Sequence, residues 1–450
     1  MAELITKREL MQFLENLRSI AFWAVDTLKG GSVRKHYSDI KFLIENAGSD
    51  KASQKHDKYL MDLLHHAVTT TAFYEKHKGF VSLQDFPVID KNIIRNDLNS
   101  FCSKSFKGQK LRKVTTSGST GTPFSVFHDE IKRNRHTAEN IYFSDIIGCI
   151  LGSRIYYLRV WNIINKKSWF KSWIQNIVMH DASSLSDENL QNLIEQLQTD
   201  ESTKSILAFA STHEALSRFA AKYPVQPIPV KVKSLITISE TLPEGAREVL
   251  KKTFGCPVIS RYSNIENGFL AQQCLTENQE YHLNLASFHF ELLNPDNDKP
   301  VKPGELGRVV VTDLFNYGMP IIRYDTGDMA VLSDRSICGA PGPVFKKIEG
   351  RRVDFITDTA GNLLSPHVIT NTMWKYASVV SQFQFIQNGH KEYLIKINIG
   401  DKEFNQTDIL VKDLKSYVGS DAIINLEFVN DIPILASGKR KKIVDNYKQK

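Results

Sequence analysis

Apolar residues recur at helical spacing through much of the first hundred residues. In HDKYLMDLLHHAVTTTAFY, Leu60, Leu63, Leu64 and Val68 fall on one helical face, and FLIENAG reads the same way. FPVIDKNIIRNDLNSF then leads into a hydroxyl-rich loop. Further on the pattern alternates. SILAFAS (205–211), VKSLITIS (232–239) and PVISRY are short apolar runs, separated by the helical patterns THEALSRFAAKY and LPEGAREVLKKTFG, the second ending on Gly255. Strand, helix, strand, helix, strand at this rhythm predicts a parallel sheet with crossover helices. SDENLQNLIEQLQ predicts an amphipathic helix with Asp187 and Glu188 in its first turn. FHFELL, VVVTDL and MPIIRYDTGD predict antiparallel or barrel-like strands. After EGRRVD (349–354) come FQFIQN, EYLIKINI, an amphipathic stretch near 405–418 and INLEFV, the makings of a small α+β lobe. The expected organisation is α/β: a large N-terminal domain over 1–352, with a mostly helical lead-in over 1–100, and a small C-terminal lobe over 353–450.

Composition narrows the class. A chain of 450 residues is long for one core, since domains run to about 100–200 residues. No apolar run reaches the ~18 residues of a membrane span, and MAELITKRELMQFLENLRSI lacks a signal-peptide core. Five cysteines (102, 149, 256, 274 and 338) are too few and too odd for a disulfide scaffold, so a reducing, cytoplasmic setting is expected. The net charge of +7 is mostly the tail: Gly438–Lys450 holds six bases and one acid, leaving about +2 elsewhere. That balance gives no footprint for nucleic acid. The last eight residues read as a solvated helix or frayed end. WNIINKKSWFKSWIQNIVMH (161–180) is aromatic and basic: a pocket lining or cover, plain surface plus core, or a contact with an anionic lipid-linked glycan at a membrane.

The candidate chemistry starts at TTSGSTGTPF (115–124). A Walker loop needs a lysine after its last glycine, and here Thr122 and Pro123 follow Gly121. A plain turn is the other simple reading. Small residues also let successive backbone N–H groups converge on phosphate oxygens, with hydroxyls as extra donors.

Five later motifs follow in order: ITISETLPE (236–244), RYSNIENG (261–268), IIRYDTGD (321–328), EGRRVD (349–354) and ILASGKRKK (434–442). From about residue 55 onward the chain resembles the adenylate-forming superfamily of acyl-CoA synthetases and nonribosomal adenylation domains. Within it the chain looks most like the phenylacetate-CoA ligase branch and its CapK-like subgroup, encoded with capsule and other surface-polysaccharide genes. The resemblance implies an ATP- and Mg²⁺-dependent ligase. A small carboxylic acid or amino acid would be activated as its adenylate, then passed to CoA, an amine or a sugar, with peripheral contact to membrane-bound polysaccharide machinery. A non-catalytic nucleotide-binding scaffold subunit is the alternative.

The resemblance also implies roles. Thr116, Ser117, Gly118, Ser119, Thr120, Gly121 and Thr122 would wrap the β- and γ-phosphates. Ser239 and Glu240 would lie along adenine, and Tyr262 would stack on it. Glu266 would bind Mg²⁺, although Ser263 replaces the glycine of the usual Tyr-Gly-x-x-Glu. Asp328 would accept ribose hydroxyls, and Arg351 or Arg352 would lie near ribose and phosphate. Asp354 would be the hinge, and Lys439 the catalytic lysine of adenylation. A scaffold would need none of Glu266, Asp328, Arg351 and Lys439. The branch often carries zinc on Cys, His and a Cys-x-Cys-Gly. Here Cys274, His282 and Cys338 remain, but Ser336 stands in the place of one sulfur, implying a decayed site or one completed from elsewhere.

Overall fold

The computed structural model describes residues 7–116, 124–161, 166–223, 232–276, 278–433 and 440–447. The lead-in is α1 (Lys7–Leu28), α2 (Ser32–Glu45), α3 (Asp50–Thr70) and the short α4 (Lys91–Asn96). Polar caps start two of them. Ser49 Oγ accepts from Ala52 N, and the Asp90 carboxylate accepts from Asn92 N and Ile93 N. The apolar face of α3 buries Leu63, Leu64 and Val68 in the main core.

A hairpin, β1 (Arg112–Thr116) and β2 (Phe124–His128), precedes α5 (Glu130–Ile146). The alternating stretch folds as β3 (Arg154–Arg159), α6 (Trp169–Ile174), β4 (Ile177–Asp181), α7 (Asp187–Thr199), β5 (Lys204–Phe209), α8 (Ala210–Lys222), β6 (Val232–Ile238), α9 (Glu244–Phe254) and β7 (Val258–Asn264). Strands β4, β3, β5, β6 and β7 lie side by side and parallel, as the rhythm predicts. Ser186 caps α7 by accepting from Asn189 N, and Gly255 closes α9 at φ 61°.

The next strands are β8 (Gly268–Gln273), β9 (Tyr281–Leu283), β10 (Phe288–Leu293), β11 (Leu306–Asp313), β12 (Tyr324–Ser333) and β13 (Val344–Arg351). All pair antiparallel. They form no separate barrel. They continue the parallel half into one eleven-stranded sheet, β10-β11-β12-β13-β9-β8-β7-β6-β5-β3-β4. The front of MPIIRYDTGD is not strand: Met319, Ile321 and Ile322 are buried core residues, and β12 begins at Tyr324.

Beyond a one-turn helix at Arg352–Asp354 lie β14 (Ile356–Thr357), β15 (Leu363–Leu364), α10 (Pro366–Trp374), β16 (Gln382–Gln387), β17 (Glu392–Asn398), α11 (Thr407–Val418), β18 (Ile423–Phe428) and β19 (Ile443–Asp445). Here a four-stranded sheet, β18-β17-β16-β19, shares a core of its own that runs from Ile356 to Ile443. Residues 443–445 of the tail are therefore neither a solvated helix nor a frayed end. Ile443 pairs with Phe385 in a parallel strand, and its side chain is buried in the small lobe's core.

The small lobe docks on the parallel half of the large one. Trp374 packs so closely on α9 that a β-carbon at Gly245 would collide with its indole ring. Arg218 Nη1 donates to Ser381 O at 2.7 Å, and Lys442 Nζ pairs with Glu214 Oε2 at 2.7 Å. Burial pushes the Glu214 carboxyl up, but Lys442 and Arg218 beside it outweigh burial and hold it below its ordinary range.

Candidate active site

The carboxyl ends of parallel strands are where sheets of this kind open their sites. Ser239 follows β6 there and holds φ 74°, left-handed backbone that a residue with a β-carbon rarely adopts. Glu240 follows it, half-buried. On the next strand, Tyr262 donates its hydroxyl to Asp328 Oδ2 at 2.8 Å and to Thr326 Oγ1 at 3.1 Å. Asp328 lies on β12 directly across from Arg351 on β13. Burial pushes the Asp328 carboxyl up, while Arg351 and the Tyr262 hydroxyl pull it back. Arg352 points its Nη1 to Pro295 O at 3.0 Å. Register therefore sets Arg351 opposite Asp328 and sends Arg352 elsewhere.

Glu266 sits in the turn between β7 and β8 and is only 9% exposed. Its Oε1 accepts from the Tyr324 hydroxyl at 2.7 Å. Burial raises its pKa, with the Tyr324 hydrogen bond working against that. The Glu266 carbonyl accepts from His128 Nε2 at 2.8 Å. Burial lowers the His128 pKa to about 4, so the ring is a neutral donor at physiological pH. His128 ends β2, so this bond ties the strand leaving the hydroxyl-rich loop to the acidic turn.

Thr116 ends β1 opposite Phe124, so the hairpin holds both stems of that loop. Ser117, Gly118, Ser119, Thr120, Gly121 and Thr122 lie outside the described residues, as does Lys439. Asp354 closes the one-turn helix between the two cores.

Sequence reasoning passed over Lys91, Tyr324 and His128. Ile89 N donates to Arg323 O at 3.0 Å and Asp325 N donates to Ile89 O at 2.8 Å, stitching the lead-in beside β12. That brings the half-buried Lys91 under the influence of the site. Burial lowers its pKa, Arg351 lowers it further and Glu266 draws it up. The lack of a lysine in the hydroxyl-rich loop was the signal to look for a cation elsewhere in the chain.

Comparison with known proteins agrees with this layout. Residues 356–446 match the CapK C-terminal domain family. Protein CapK of Staphylococcus aureus is 25% identical over 385 residues, covering 82% of this chain and 81% of that protein. Phenylacetate-coenzyme A ligase of Thermus thermophilus is 23% identical over 239 residues, and the chain spans about half of it, 52%. Among solved structures, 2-hydroxyisobutyryl-CoA ligase in the postadenylation state with R3-HIB-AMP gives a TM-score of 0.70 at 16% identity, covering 90% of this chain and 92% of that one. The chain is a CapK homologue with the adenylate-forming ligase fold. The same CoA ligase gives 0.57 both in an open conformation and in the thioesterification state.

In this CapK homologue the remaining cysteines and histidine also come together. The ligand atoms of Cys274, His282 and Cys338 all lie within 4.8 Å of one another. Ser336 Oγ is 2.8 Å from Cys338 Sγ and donates to Glu280 Oε2 at 2.8 Å. Structural zinc takes four N or S ligands, and this donor set supplies three and a hydroxyl. Purified protein is expected to carry well under one zinc per chain by elemental analysis. A chelator-resistant, stoichiometric zinc that Cys274→Ser removes would overturn that expectation.

Proposed function

We propose that this chain activates a carboxylic acid with ATP and then transfers the acyl group, and that Tyr262, Glu266, Asp328 and Arg351 form the nucleotide site. The observation that carries the reading is their convergence: Tyr262 is bonded to Asp328, Arg351 stands opposite Asp328, and Glu266 lies within the electrostatic reach of both Asp328 and Arg351. In the first half-reaction a carboxylate oxygen attacks the α-phosphorus and the bond to the β-phosphate breaks, releasing pyrophosphate. Phosphoryl transfer of this kind is mostly positioning and charge neutralisation. Tyr262, its hydroxyl held by Asp328, offers its ring to adenine beside Ser239 and Glu240. Asp328 accepts ribose hydroxyls and Arg351 lies at the ribose and phosphate. The loop Thr116–Thr122 supplies N–H groups and hydroxyls to the β- and γ-phosphates, with Lys91 adding the charge that the loop lacks. Glu266 is the carboxylate that fits Mg²⁺, which takes oxygen ligands and neutralises phosphate charge when bound. The Tyr324 hydroxyl fixes the orientation of that carboxylate.

In the second half-reaction a nucleophile attacks the acyl carbon and AMP leaves. CoA is the acceptor best supported, since relatives and structural neighbours are CoA ligases. An amine or a sugar remains the alternative, and likeness to CapK supports a place in surface-polysaccharide synthesis. ATP and CoA as substrates favour a cytoplasmic setting.

The test is pyrophosphate release across a panel of amino acids, aryl acids and short acyl acids. ADP and phosphate in place of AMP and pyrophosphate would sink the reading. Glu266→Gln is expected to raise the Mg²⁺ requirement about tenfold or more, because an amide oxygen carries no net charge. In the parent protein that requirement should rise as pH falls, since protons compete for a carboxyl whose pKa burial has raised. A titration curve identical in Glu266→Gln removes the metal role.

A further inference from the structure

An apolar stripe of α1 points away from the protein. Leu10, Phe13, Leu17, Ile20 and Leu28 follow one another at helical spacing and are all exposed, Ile20 by 64% and Leu28 by 87%. The opposite side makes the contacts: Phe22 and Trp23 pack, partly buried, against a core cluster of the large lobe, and two acids bond backbone amides. Glu15 Oε1 accepts from Thr203 N at 3.0 Å, and the buried Asp26 carboxylate accepts from Val33 N and Arg34 N at 3.0 Å. A β-carbon at Gly152 would collide with the Glu15 carbonyl, so the fit on that side is close. A surface helix serving only its own core would carry polar residues, not a second apolar stripe, on its outward side.

The crossover helix α6 widens this face. Trp169 is 78% exposed, and Phe170 and Trp173 are exposed beside it. The Arg18 guanidinium of α1 lies over the Trp173 ring, 5.6 Å from its centroid, so the two helices are neighbours. Small polar residues pin α6 from beneath: Ser168 Oγ caps it at Lys171 N, and Ser172 is buried. Lys166 and Lys171 stand exposed among the rings, and residues 161–180 contain no acid.

We propose that α1 and α6 together form a docking surface for an anionic lipid bilayer. Tryptophan rings settle at the headgroup level, an apolar helical face lying flat enters the acyl boundary, and nearby lysines pair with anionic headgroups. A second copy of the chain fits less well. A twofold contact would set the α6 lysines against their own kind, whereas helix pairing seams are flanked by charges of both signs. Among the described residues no helix is long and apolar enough to cross a membrane, so the attachment is peripheral. The inference stands independently of the ligase reading.

The test is cosedimentation of the full chain with vesicles of phosphatidylglycerol and phosphatidylethanolamine, against vesicles of phosphatidylcholine alone. Tryptophan emission and light-scattering mass are recorded on the same samples. Binding to the anionic vesicles with a blue shift, weakened by salt, is expected. Trp169→Ala with Trp173→Ala, and separately Phe13→Glu with Ile20→Glu, should each lower affinity about tenfold or more. Lys166→Glu with Lys171→Glu should act most strongly at low salt. All these positions are exposed, and circular dichroism checks the fold. Absence of binding, equal binding to neutral vesicles, or binding unmoved by all three pairs of substitutions overturns the proposal. So does a dimer that Phe13→Glu splits in a protein that ignores vesicles, which would assign the face to self-association.

Discussion

Replacing Lys439 by alanine is expected to abolish formation of the acyl-adenylate yet spare acyl transfer from preformed adenylate. The described residues that flank the stretch carrying Lys439 motivate the expectation. Arg440 Nε donates to Ile432 O at 2.9 Å, which closes the stem of the segment. Two residues further on, Lys442 pairs with Glu214 on α8, the helix that starts at the carboxyl end of β5. The described residues that follow Lys439 are thereby anchored to the large lobe, on which the nucleotide site is proposed. A preorganised cation there offsets charge building between carboxylate and α-phosphate, and losing such a group costs roughly 10²–10³ in rate. Asp354→Pro should act oppositely, impairing transfer more than adenylation, because proline fixes φ and stiffens the pivot. Pyrophosphate exchange measures the first half-reaction, and transfer from synthetic adenylate measures the second. Equal losses in both half-reactions for both variants would mean that the lobes do not alternate, and Lys439 would lose its assigned role.

Gly245→Leu is expected to give the same split from the other side of the interface. A leucine at the second position of α9 is a better helix former than glycine by about 1 kcal/mol. The fold should therefore hold, and the melting temperature should not fall. The side chain would nevertheless meet Trp374 and push the small lobe off α9. Lid closures complete a catalytic constellation, so adenylate formation should drop about a hundredfold while acyl transfer changes little. Adding Trp374→Ala should recover part of the loss by making room for the leucine. Adenylation at the parent rate in Gly245→Leu would show that the docked arrangement is not the one that carries out the chemistry.

The parallel half of the sheet was readable because its signals are local. Each of β5, α8, β6, α9 and β7 announces itself by its own periodicity, Gly255 marks the end of α9, and chain order then leaves few topologies. The antiparallel half was less readable. Whether β10–β13 close on themselves or extend an existing sheet depends on which edge the short β9 accepts, and no single segment encodes that. Lys91 was missed for the same reason. Its approach rests on two backbone hydrogen bonds from Ile89 to residues more than two hundred positions away, and a backbone bond leaves no mark on residue type.

By itself the sequence determined the order of strands and helices from 205 to 262 and the small α+β lobe, and its motif order nominated the candidate site residues from Glu266 to Lys439. These rest on periodicity, capping and motif order, which act over a few residues at a time. Only the tertiary structure decided which of Arg351 and Arg352 stands opposite Asp328, because strand register is a relation between two segments. It gathered Cys274, His282 and Cys338 within 4.8 Å from distant stretches of chain. It also left an apolar stripe of α1 facing outward while Phe22 and Trp23 pack inward. Amphipathicity defines two faces of a helix, but which one meets the protein is settled by the partners the rest of the fold provides, here the Thr203 and Val33 amides waiting for Glu15 and Asp26.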